Sequence, residues 1–151
     1  HMATNPKREV LNRKRILFYL LPAAGYAALI FAVSSMALDM EELQPVLAFD
    51  KILHLAEYYI LGYLLMRAFA TSGVPVLAAS PVAAAILAGS AYGLSDEIHQ
   101  AFVPGRVASL MDFLFDAAGV ALAALTYPYV RYRLGPVRAL ENRIEAEVGR
   151  R

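Results

Sequence analysis

Arg13-Lys14-Arg15 is followed by a run, Ile16 to Leu38, without a single charged residue. As a helix rising about 1.5 Å per residue, such a run crosses a hydrocarbon core about 30 Å thick. A signal peptide also opens on a basic flank and an apolar run, but its apolar region is shorter. Further apolar runs follow here, so the expectation is a retained membrane span. Composition agrees: 59% of residues are hydrophobic and 18% charged, against about half and a quarter in soluble domains. The absence of cysteine excludes a disulfide framework, a thiolate metal site and a cysteine nucleophile.

Three more runs complete the pattern. The second, Ile52 to about Ala70, is interrupted by His54, Glu57 and Arg67. The third, Val76 to about Ser95, is rich in small residues. The fourth, Ser109 to Val130, carries Asp112 and Asp116 in its first half. Lipid leaves unpaired backbone groups without partners, so spans of this length are expected as helices. The alternation of a barrel strand is absent. The expected fold is all-α: a polytopic membrane protein with four transmembrane helices in a compact bundle, at about 16–38, 52–70, 76–95 and 109–130. A basic segment, 1–15, precedes this membrane domain of 16–130, and a basic tail, 131–151, follows it. His1 before Met2 reads as a tag-cleavage scar, which leaves His54 and His99 as native histidines. In the tail, Val137, Leu140, Ile144 and Val148 recur at helical spacing. A C-terminal helix along the interface and a solvated tail both fit that spacing. Ala85, Gly89 and Gly93 form a face of small residues on the third span, suited to close packing inside one subunit.

Lysine and arginine placement sets the orientation. Of 14 such residues, only Lys51 and Arg106 fall on one side of the four-span arrangement. The basic side belongs in the cytoplasm, so both termini are expected inside. The loops at 39–51 and 96–108 then face outward. Arg67 and Lys51 read as snorkelling anchors.

That topology brings the polar residues to one level. His54 and Glu57 lie near the outer end of the second helix. Asp96, Glu97, His99 and Gln100 follow the third. Arg106 is presented by a Pro104-Gly105 turn, and Asp112 and Asp116 lie in the first turns of the fourth. His54, Glu57, Tyr58 and Leu61 share one helical stripe, and Ser109, Asp112, Asp116 and Gly119 another. A charge at the centre of a membrane helix costs about 2.5–3.5 kcal/mol, so these groups are expected to face the bundle interior. Ser109 suits a helix cap and Asp112 the helix dipole; Asp116 is too deep for either. Tyr58 fits either a substrate contact or an aromatic belt. Arg106 suits a phosphate or carboxylate, or a pairing with Asp96 or Glu97.

These residues resemble the VanZ-like family of bacterial membrane proteins. The resemblance runs through Asp50-Lys51-x-x-His54-x-x-x-Tyr58-x-x-Leu61-Gly62, then Ser95-Asp96-Glu97-x-His99-Gln100-x-Phe102-x-Pro104-Gly105-Arg106, then Ser109-x-x-Asp112-x-x-x-Asp116-x-x-Gly119. Where this chain has Asp116, some members, including the resistance-associated type, carry Asn. The resemblance implies a cell-envelope protein of the bacterial plasma membrane and, for the founding type, a role in resistance to the glycopeptide teicoplanin.

Three functions fit the residues. The first is an enzyme on a lipid-linked envelope substrate, a polyprenyl-phosphate or glycolipid, working by acid/base hydrolysis or group transfer. His54 or His99 would move protons, tuned by Glu57, Asp96, Glu97, Asp112 or Asp116. Tyr58, Gln100, Arg106 and Ser109 would hold substrate. A divalent metal is a further expectation, with His54, Glu57, His99 and Asp112 as candidate ligands beside Asp96 and Asp116. No nucleic-acid partner is expected. The second function is a non-catalytic binder of lipid or glycopeptide. The third is proton-coupled lipid transport through Glu57 and Asp116.

Overall fold

The computed structural model describes residues 6–37 and 49–149. Most of the acidic loop expected at 39–50 therefore lies outside the described residues, as do His1, Arg150 and Arg151. Every element is helical, and no strand occurs among the described residues. Helix α1, Pro6–Arg15, runs through a π-helical turn, Ile16–Leu20, into α2, Leu21–Ser34. Helix α3 is Asp50–Thr71, α4 the short Pro75–Ala79, α5 Pro81–Gln100, α6 Leu110–Arg133 and α7 Gly135–Val148.

The boundaries correct three expectations. The first run turns out of helix after Ser34 rather than at residue 38. The third breaks at Ser80, because Pro81 cannot continue the ladder from α4. Helix α5 then extends to Gln100, so Asp96, Glu97, His99 and Gln100 ride its last turns rather than a loop. The tail is neither frayed nor a simple interfacial helix. Helix α7 folds back on the bundle with Glu141 and Val148 buried, while Leu140, expected on its apolar face, is exposed.

Helices α3 and α6 make the most extensive pairing, and α5 packs against both. Small residues set that closeness. A Cβ at Gly119 would collide with the Leu55 carbonyl oxygen and lie 3.0 Å from the Tyr59 nitrogen. Backbone cannot yield as a side chain can, so Gly119→Val is expected to force the helices apart. Overpacking of this kind costs about 1–3 kcal/mol or more, and a fall in the midpoint of thermal unfolding followed by circular dichroism would check it. Ala85, Gly89 and Gly93 are all buried inside the subunit, as their spacing implies. Between these helices the core holds Ile30, Tyr58, Leu61 and Val120 at one level, and Met66, Ala85, Ala124 and Tyr127 at another.

The outer surface is apolar. Leu29, Phe31, Ile60, Leu87, Leu94, Leu122 and Leu125 are exposed, while Asp112, Asp116 and Glu97 are buried. This inversion suits lipid as solvent. Two helices, Arg13–Ser34 and Leu110–Arg133, are long and apolar enough to cross a membrane.

Candidate functional site

The polar groups converge at the shared end of α2, α3, α5 and α6. Their centre is His54 on α3, whose Nδ1 lies 2.9 Å from Oδ1 of Asp116 on α6. Asp116 is fully buried. Gly93 on α5 makes room for it: a Cβ there would stand 3.1 Å from Asp116 Cβ and 3.2 Å from the Tyr58 ring. Asp50, one turn before His54, places Oδ1 3.8 Å from His54 Nε2. Lys51 forms an ion pair with Asp112 and reaches Asp50 at 3.1 Å. The anchor expected at Lys51 is thus a bridge between α3 and α6.

Glu97 approaches from α5. Its Oε2 accepts the Ser109 backbone N–H at 2.7 Å. Ser109 is the cap expected of it, since its hydroxyl accepts the Asp112 N–H at 3.3 Å.

A second group lies beside the first. Asp96 accepts Ser34 Oγ–H at 2.5 Å and Gln100 Nε2–H at 2.8 Å. His99 stands apart from His54, with Nε2 3.0 Å from Ser35 Oγ and its ring 4.6 Å from that of Phe31. Arg106 pairs with neither Asp96 nor Glu97. It donates to the Val33 and Met36 carbonyl oxygens at 3.1 and 3.4 Å, closing the end of α2. Gly105 has φ +78°, as the turn requires. Glu57 is half-buried and has no side-chain hydrogen bond among the described residues. Tyr58 is fully buried beside Tyr92, which removes it from an aromatic belt. Ser34 and Ser35 are site residues that the sequence reading missed. Their one signal was a polar pair closing an otherwise apolar run.

Three buried polar atoms here have no hydrogen-bond partner among the described residues: Asp116 Oδ2, Glu97 Oε1 and Tyr58 Oη. Two overlapping trios bring a ligand atom from each member within 4.8 Å: Asp50, His54 and Asp112, and His54, Glu97 and Asp116. Of the expected metal ligands, Glu57, Asp96 and His99 belong to neither. A groove of about 370 Å³ opens between α5 and α6, lined by Leu94, Ile98, Phe102, Leu110 and Phe113, with Glu97 and Ser109 also on its wall.

The arrangement can hold an apolar chain in the groove and transfer protons at His54, which Asp116 orients. The VanZ/LLP1 family model matches residues 3–131. No curated protein and no solved structure matches the chain.

Proposed function

The chain belongs to the VanZ/LLP1 family, and from that premise we propose that it acts on a lipid-linked substrate of the bacterial cell envelope, a polyprenyl-phosphate or glycolipid. The reaction class is hydrolysis or group transfer by acid/base chemistry. The carrying observation is the position of Glu97: it lines an apolar groove on one side and joins the buried His54 and Asp116 on the other. A lipid chain in that groove brings its polar head to the pair. His54 accepts a proton from the attacking water or hydroxyl, and Asp116 holds the imidazole as it becomes charged.

In this reading α2, α3, α5 and α6 cross the plasma membrane with both termini in the cytoplasm, and the site opens to the outer leaflet. The apolar surface supports four crossings. The polar residues of α3 and α5, His54, Glu57, Asp96 and Glu97, are buried or half-buried rather than lipid-facing.

Incubation of the purified protein in nanodiscs with polyprenyl phosphate, polyprenyl pyrophosphate or envelope glycolipids, read by mass spectrometry, tests the proposal. Conversion of one of these is the expected result. Saturable binding with no chemical change would favour a non-catalytic binder, a reading that the orphaned buried oxygens also support. Contribution to glycopeptide resistance is a separate outcome, measured as a raised teicoplanin inhibitory concentration on expression in a susceptible host.

A further inference from the structure

Two trios share His54, and Lys51 decides between them. Its ammonium bonds both Asp50 and Asp112, so the charge of the first trio is already met by a cation of the chain itself. The second trio has no such partner. Glu97 spends Oε2 on the Ser109 N–H and Asp116 spends Oδ1 on His54, while Glu97 Oε1 and Asp116 Oδ2 are left bare. Both residues are more than nine-tenths buried, at 5% and 0% exposure. A buried carboxylate oxygen without a donor costs about 1–3 kcal/mol, more when charged. Two of them sit together with an imidazole, one ligand atom of each within 4.8 Å of the others.

From this geometry we infer that His54, Glu97 and Asp116 bind one divalent cation of the first transition row, Zn²⁺ or Mn²⁺. One imidazole and two carboxylates are the donor mixture these ions accept. Bonds of about 2.0–2.2 Å require the three side chains to draw inward. The donors come from α3, α5 and α6, so the ion also ties the three packed helices together at their outer ends. Three protein ligands leave a coordination position open, and the groove beside Glu97 leads to it. The inference rests on the site proposed above and bears on its proton chemistry: with an ion bound, His54 is a ligand rather than the proton acceptor, and the positive charge would face a phosphate or carbonyl oxygen.

The test is a titration of the full chain, stripped with chelator in detergent, with Mn²⁺ alone, following free Mn²⁺ by electron paramagnetic resonance. One saturable site is expected. Glu97→Gln and Asp116→Asn should each weaken it by more than the roughly tenfold that loss of an outer-shell partner costs, while Asp112→Asn should not. Pulsed resonance on the wild-type complex should show coupling to an imidazole nitrogen, a readout that needs no variant to fold. Absence of saturable binding by Mn²⁺, and by Zn²⁺ in calorimetry, overturns the inference. So does a bound ion without nitrogen coupling, or a site lost in Asp112→Asn and kept in Glu97→Gln. Those results leave lipid turnover untouched, so the proposed reaction stands or falls by its own assay.

Discussion

His54→Ala is expected to lower turnover of the proposed lipid-linked substrate by about 10²–10⁴-fold, the span that a positioned acid/base group contributes. Among the described residues His54 is the one imidazole in contact with a fully buried carboxylate. Removing it also strips Asp116 of its hydrogen bond, and an unsatisfied buried acceptor costs about 1–3 kcal/mol. The variant should therefore insert and unfold cooperatively, at a lower temperature. Turnover in nanodiscs set against thermal unfolding by circular dichroism separates the two effects. His99→Ala is expected to cost less, because His99 meets Ser35 and Phe31 rather than a carboxylate. Equal losses at both histidines would show that the reacting centre is not at the His54–Asp116 pair.

Arg67→Ala is expected to be the most destabilising change at the opposite end of the bundle. Arg67 on α3 is buried, with Nε 2.5 Å from Glu141 Oε1 on α7 and its guanidinium 5.1 Å over the Tyr19 ring. Glu141 is 2% exposed and also receives the Tyr63 hydroxyl at 3.4 Å. Arg131, from α6, pairs with Glu145 and donates to Tyr127 Oη at 2.5 Å. Cutting Arg67 leaves the buried Glu141 with Arg131 alone, 4.0 Å away, and a buried charge stripped of its partner costs up to about 3–5 kcal/mol. Replacing the pair by apolar groups of similar volume removes both charges at once. The double variant Arg67→Met with Glu141→Leu should thus recover most of the loss. Thermal unfolding of the single and double variants in one detergent gives the coupling directly. A double variant as unstable as Arg67→Ala would show that the pair itself, rather than the stranded charge, supports the fold.

The two ends differ in how far they could be read in advance. The outer cluster was legible because depth is a one-dimensional property: run boundaries put His54, Glu97, Asp112 and Asp116 at one level before any packing was known. Pairings were not legible. His54 meets Asp116 rather than Glu57, its neighbour on the same stripe, because α3 and α6 close on Gly119 and turn those faces together. Lys51 and Arg67 were misread as anchors for one reason. A long basic side chain at a helix end looks the same whether it reaches for water or for a carboxylate on another helix. For Arg67 that carboxylate is Glu141, distant in sequence.

By itself the sequence determined the helical class, the apolar runs and the common depth of the polar residues, since all three follow from local composition and a rise of about 1.5 Å per residue. The tertiary structure alone decided which carboxylate each cation meets. It also decided which oxygens are left bare, and that α7 packs against the end of the bundle opposite the His54 cluster. Those outcomes depend on helix rotation and interaxial distance, which are set by the close contacts at Gly62, Gly93 and Gly119 between segments far apart in the chain.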